Sequence, residues 1–538
     1  MDTDKYSRGK TLIPINLLLE SGAVDTQGTL RRDHGTRAMM SMLRACIALV
    51  LPDGVRKIGT HSFSGDNHLR CIILPEGVTC IERCAFTKCK SLRSIAVPKS
   101  LSFIGNCAFH DCSRLQSITL PENLSFIGER AFCRCTSLTS IVLGEGLTSI
   151  GTNAFENCTS LVSITLPEGI TSISTNAFYA CTSLTSIVLG EGLTSIGVGA
   201  FERCTSLTSI VLRKGLTSIG GGAFDGCSSL TSIVLEEGLT SIGTNAFEDC
   251  TSLVSITLPE GITEIGDGTF STCTSLRSVT FPEGVTSIGP AAFSECASLV
   301  SVTLPEGLTS VGKGAFEDCT SLMSITLPEG VTSIGQSTFE GCTSLRSVTL
   351  PEGVTSVGPW AFHGCTSLAS VTLPEGLTSS ASSAFAGCDA VSTLVVSPLR
   401  TREERTLVPR TVNFDEILHN KNWRECGQIT RLWAPDWVVA QLEGAFAPYK
   451  CLRAVPRNMR ALPGADTWAA VQLHQWWAKP SGNHLRSPAR HTFELTVMLT
   501  GGRLASNAAT FLPLEMWLMV LAFVKHSDEI SFASARNN

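Results

Sequence analysis

Tyrosine occurs three times in 538 residues, and ahead of residue 397 tryptophan occurs once, at Trp360. Charged residues make up 16% of the chain, against roughly a quarter in ordinary globular proteins. No apolar stretch approaches the ~20 residues of a membrane-spanning helix. The run from Met39 to Pro52 is short, contains Arg44 and is followed by Asp53. The opening Met1-Asp2-Thr3-Asp4 is acidic where a secretory leader would be basic. Together these features set the expectation of an intracellular, cytoplasmic protein without a membrane span. Catalytic signatures are missing as well. There is no phosphate-binding loop, no dinucleotide-binding glycine fingerprint, no HExxH and no nucleophile elbow. The ten histidines are scattered without metal-ligand spacing, and His110 and His363 read as surface residues. The expectation is a protein that is not an enzyme and uses no cofactor or metal.

What is present is a period. Fifteen phenylalanines fall 23 residues apart from Phe63 to Phe385, with no insertion or deletion between them. A fixed short period marks a solenoid, because one repeat cannot bury its apolar face alone and must stack on neighbours. The copy from Leu147 to Gly169 reads LTSIGTNAFENCTSLVSITLPEG. Its apolar columns are Leu147, Ile150, Ala154, Phe155, Cys158, Leu161, Ile164 and Leu166. The stretch from Leu161 alternates as a strand does, with Ile164 and Leu166 inward and Ser163 and Thr165 outward. Pro167-Glu168-Gly169 closes the strand, proline presetting φ and glycine accepting a positive φ. Ile150-Gly151 marks a second bend, and Ala154-Phe155-x-x-Cys158 fits one helical turn on the convex side. Cys46, Leu49 and Leu51 carry the same phase backwards, so about sixteen strands are expected between residues 46 and 396.

These columns resemble the BspA-like leucine-rich-repeat family, whose repeat looks like LxxIxxxAFxxCxxLxxIxLPxx. The resemblance covers about two-thirds of the chain. It implies a gently curved leucine-rich-repeat solenoid of parallel strands with short convex helical or extended segments, used as an adhesion or protein-binding surface. The organisation that follows is an N-terminal flank at 1–45, a solenoid at 46–396 and a mainly α-helical, Trp-rich domain at 397–538. The solenoid has 17 basic and 30 acidic residues, the segment after it 17 and 12, and the flank 7 and 5. An acidic solenoid argues against a nucleic-acid ligand.

Fourteen of the 22 cysteines stand in the Cys158 column, from Cys89 to Cys388. A ladder of one thiol per rung does not converge as metal ligands must. These cysteines read as small buried hydrophobes, and Cys250→Ser is expected to leave an unpaired buried hydroxyl. Cys84/Cys107 and Cys133/Cys135 break the pattern and are the candidates for a local redox or metal site.

The outward columns are small and hydroxylated. The candidate partner-binding strand face is Ser255, Thr257, Ser278, Thr280, Ser301, Thr303, Ser324, Thr326, Ser347, Thr349, Ser370 and Thr372. Its expected use is to dock a protein partner. A periodic lattice such as ice or polysaccharide is the rival, because threonine rows at ~4.8 Å strand spacing can match a repeating surface. The Glu168 column is acidic in thirteen of fifteen repeats, Lys99 and Lys214 being the exceptions, and forms a carboxylate ridge along one edge.

The segment after 396 has seven of the eight tryptophans, including Trp433, Trp437, Trp476 and Trp477. Pro435 opens one candidate helix and Asp466 caps another. A third starts at Pro513, with Leu514, Trp517, Leu518 and Leu521 at helical spacing. Leu512, Pro513, Leu514, Glu515, Trp517, Leu518 and Leu521 resemble the opening helix of an F-box, which implies a cullin adaptor as partner and a ubiquitin-ligase receptor role. An F-box usually precedes its repeats, and here little chain follows the helix.

Overall fold

The computed structural model describes residues 48–374, 376–381 and 383–397, together with 24–25, 27–30 and the strands Lys10–Leu12, Arg431–Ala434 and Leu452–Ala454. The Trp-rich helices and the F-box-like residues Leu512, Pro513, Leu514, Glu515, Trp517, Leu518 and Leu521 lie outside the described residues, as do residues 459–538 altogether.

Each 23-residue period is one coil with two strands. Sixteen strands, one per coil from Ala48–Val50 to Thr393–Ser397, form the outward strip anticipated from the Leu-x-x-Ile-x-Leu pattern. Within five hydrogen-bonded groups they pair parallel and in register, as Ser163 with Ser186, Ile164 with Ile187 and Thr165 with Val188. The alternation is as read: Ser163 and Thr165 are exposed and Ile164 is buried. A second strip was not anticipated. Fifteen two-residue strands run from Lys57–Ile58 to Ser379–Ser380. They stand at the Ser149-Ile150 position, where two residues are too few to show an alternation. The outward strip also continues past the periodic region, since Arg431–Ala434 pairs parallel with Thr393–Ser397 and Leu452–Ala454 pairs with Arg431–Ala434.

The convex side differs from the single helical turn that the sequence suggests. No helix occurs among the described residues. In the Ala154–Cys158 segment the amides alternate. Ala154, Glu156 and Cys158 donate three residues back, to Gly151, Asn153 and Phe155, at 3.1–3.2 Å. Asn153, Phe155 and Asn157 donate instead to Thr175, Ala177 and Tyr179 of the following coil, at 2.8–3.0 Å. A helix would keep every amide for itself. Here every second amide joins neighbouring coils, so the buried backbone is satisfied by stacking. The geometry needs left-handed residues at two positions per coil, such as Asn153 (φ 57°) and Asn157 (φ 58°).

The strand-closing turn also departs from expectation. Gly77 has φ 105°, but Gly169 does not lie in the positive-φ region. A Cβ at Gly169 would sit 2.9 Å from the Leu147 carbonyl oxygen, so the small residue is required there by close approach of the preceding coil.

The core is a set of stacked columns. Phe155, Cys158, Leu161, Ala154 and Leu147 have no exposed surface. From Phe63 to Phe385, fourteen successive ring pairs stack at 5.0–5.6 Å between centroids and within 16° of parallel. One coil advance sets that spacing, so every ring between Phe63 and Phe385 is stacked on both faces.

Candidate protein-docking face

The outward strip presents three columns, those of Val162, Ser163 and Thr165. Ten of the twelve hydroxyl residues singled out from the sequence stand on it in register, exposed or, for Ser347, half-buried. Ser370 and Thr372 do not belong to an open face. They are 7% and 5% exposed, and Thr393 one coil later is 3% exposed. Their residue type gives no hint of this, because outward strand positions become buried only through contact with something remote in sequence.

The strip holds a feature that the serine and threonine rows conceal. Of eleven large hydrophobic residues that are exposed among the described residues, eight lie on it: Val142, Val188, Val211 and Val234 in the Thr165 column, and Val162, Val254, Val300 and Met323 beside the serines. Val142 is 57% and Val188 53% exposed. The sequence shows these valines as ordinary strand formers. Only their outward register makes them an apolar patch.

The two edges of the strip differ in charge. The column entering the strand has Arg70, Arg93, Arg277 and Arg346 and no acid among the described coils, whereas the column leaving it is the carboxylate ridge. Ridge residues also tie turns together. The Glu168 carboxylate accepts the Glu191 amide at 2.7 Å, and Arg213 pairs with Glu191 at 3.0 Å.

The cysteine column is more than apolar filling. Fourteen thiols, Cys89 to Cys388, each donate to the carbonyl of the phenylalanine 26 residues earlier at 3.0–3.3 Å. Burial pushes buried thiols such as Cys158 and Cys250 up, so those two stay protonated and un-nucleophilic. The outlying pairs do not form one site. Cys135 belongs to the column, while Cys133 donates to Glu156 Oε2 at 3.6 Å and is pushed up to about 12 by burial and that carboxylate. Cys84 and Cys107 occupy equivalent left-handed positions (φ 55°) on adjacent coils, and burial with the Cys84 thiol raises Cys107. Among the described residues no group of three or more His, Cys, Asp or Glu is placed to hold a metal. His110, read as a surface residue, is half-buried, and burial lowers its pKa.

One titratable row escaped the sequence reading. Glu202, Asp225 and Glu248 occupy the same convex position on three consecutive coils. Burial, then the charges of Glu248, Glu202 and Asp249, push Asp225 up to about 6. Burial also raises Glu202 and Glu248.

A family model described as a BspA type leucine rich repeat region matches residues 43–161, 125–253, 195–322 and 286–404. No curated protein matches the chain. Among solved structures, the chain is similar to a leucine-rich repeat protein from Bacteroides ovatus, at 28% identity over 73% of this chain and 92% of that one, with a TM-score of 0.56. A leucine rich cell surface protein from Faecalibacterium prausnitzii is 31% identical over 55% of this chain and 90% of its own, with a TM-score of 0.38. A leucine rich repeat protein from T. pallidum is 36% identical over 30% of this chain and 78% of its own, with a TM-score of 0.29.

Proposed function

The chain belongs to the BspA-type leucine-rich-repeat family, and from that premise we propose that it is a non-catalytic scaffold that docks proteins on the outward strand face. Leucine-rich-repeat proteins are generally protein-binding scaffolds and typically not enzymes. The observation that supports this face over the others is the concentration of exposed apolar residues: among the described residues, eight of eleven stand on it. A solvated strip built only for stability would carry polar residues there, and contiguous apolar surface on a soluble protein marks a contact site. The valine rows of residues 142–254 form the centre of the surface and the hydroxyl rows of 255–349 extend it.

The test is affinity capture from the native source with the full chain, beside a folded Val188→Lys, Val211→Lys variant. Partners that are recovered by the wild type and lost with the variant support the reading. Partners retained by the variant place the docking surface elsewhere.

A further inference from the structure

We propose that the strand face takes a second copy of this chain, in a twofold dimer with parallel solenoid axes and facing strands that run antiparallel. This rests on the reading of that face as a protein-docking surface and names its occupant.

The argument is complementarity. The edge that enters the strand bears Arg70, Arg93, Arg277 and Arg346 and, among the described coils, no acid; the edge that leaves it bears the carboxylate ridge. When two such strips meet face to face with strands antiparallel, the entering edge of each lies opposite the leaving edge of the other. A twofold axis along the solenoid then sets coil on coil. Arg277 faces Glu283 of the second copy and Glu283 faces its Arg277, the reciprocity that defines an isologous contact. Arg70 meets Glu76 in the same way. Arg346 meets Glu352 likewise, the Ser94 coil sets Arg93 against Lys99, and in the other nine coils the ridge residue faces an uncharged side chain, as Glu168 faces Val162 and Glu329 faces Met323.

The column midway between the edges is that of Thr165. The twofold axis lays this column on itself, so Val142, Val188, Val211 and Val234 pack on their own counterparts. These four valines thus lie at the centre between two charged rims, the anatomy of a protein interface, while Val162, Val254, Val300 and Met323 share the entering rim with the arginines. The solitary strip has the reverse problem, an exposed apolar centre that nothing covers.

The area is sufficient. Thirteen coils from Cys71–Ile73 to Ser347–Thr349 present the open strip. At ~4.8 Å per coil and a width of roughly 15 Å they cover about 900 Å² per copy, or ~1,800 Å² in all, within the range of stable complexes. The burial of Ser370 and Thr372 ends the open strip at the coil before them.

The experiment is sedimentation equilibrium on the full chain with a charge-swap cycle. The wild type is expected to dimerise, and Arg277→Glu or Glu283→Arg alone to weaken the dimer roughly 10-fold, since each change acts twice in a symmetric contact. The double variant Arg277→Glu, Glu283→Arg restores the pairing and is expected to recover the wild-type constant. Val211→Lys should give monomer with an unchanged circular dichroism spectrum. A wild-type chain that stays monomeric at about 100 µM overturns the proposal, because an interface of this size binds in the micromolar range or tighter. A dimer indifferent to both single swaps, or a folded double variant that stays weak, also overturns it. If the chain is monomeric while Val188→Lys, Val211→Lys still loses captured partners, the docking reading stands and only its occupant is wrong.

Discussion

The thiol of Cys250 donates to the main-chain carbonyl oxygen of Phe224 at 3.3 Å, across a coil boundary and 26 residues back in sequence. The same carbonyl accepts the Cys227 amide of its own coil at 3.1 Å. The column of cysteines therefore ties each coil to the one before it, a role that apolar filling would not serve.

This alters what serine should do at position 250. The expectation of an unpaired hydroxyl gives way, because the acceptor is in place. Cys250→Ser is expected to cost about 1 kcal/mol, through a shorter reach and greater desolvation. Cys250→Ala loses both the donor and the volume and should cost about 2 kcal/mol. Urea midpoints of the two variants give the order. Serine less stable than alanine would show that the hydrogen bond contributes nothing.

Alkaline stability should fall steeply. Burial raises thiols such as Cys135, Cys204 and Cys319 above the ordinary value of 9.0. Above pH 9 the unfolded chain loses these protons while the folded chain keeps them. The folded state then binds more protons, and stability drops as pH rises through the unfolded pKa. Acid-base titration should show a cooperative release of many protons on alkaline unfolding. Gradual release from the folded chain between pH 9 and 10 would contradict burial of the column.

On the acid side the sign comes from Asp225, pushed up from 3.8 to about 6. Between those values the folded chain binds the proton and the unfolded chain does not. The group therefore contributes stability that is fully present below pH ~4 and is lost as pH rises through 6. Asp225→Asn should stabilise at pH 7 by on the order of 1 kcal/mol after solvent screening, and should remove this pH dependence. Melting temperatures at pH 5 and 7 check both effects, and a variant less stable than wild type at pH 7 would refute the repulsion.

Backbone strain gives a cleaner case. Ala291 holds φ 51° without the local side-chain hydrogen bonding that lets asparagine tolerate it. Ala291→Gly is expected to stabilise by about 1 kcal/mol. Gly151→Ala should do the opposite, because its Cβ would meet the Glu129 amide nitrogen at 2.5 Å. Thermal denaturation separates the two, and a destabilised Ala291→Gly would mean that the left-handed column carries no strain.

Much of this was legible in the residues, and the reasons are particular. Ile164 and Ser163 declare their faces because strand alternation has a period of two and one face is buried. Phe155 and Leu161 declare their columns because a stack of coils repeats every contact. The convex turn misled because Phe155 and Cys158, three apart, fit a helix as well as a turn whose alternate amides leave for the next coil. The asparagines at 153 and 157 were the available sign, being tolerant of the left-handed region. The outward face was half visible. Its hydroxyl rows could be read directly, whereas Val188 and Val211 passed as ordinary strand residues.

By itself the sequence determined the coil, its length, its inward columns and the register of its outward strip, because a strict 23-residue repeat makes each of these a local, repeated property. The tertiary structure alone decided the rest. It set where the Cys250 thiol donates, which amides cross between coils, which of Gly77 and Gly169 needs a positive φ, and that Ser370 and Thr372 are covered while Ser301 and Thr303 stay open. Each of these depends on a neighbour at least one coil away, and a residue's own identity does not carry the position of an atom that reaches it only through stacking.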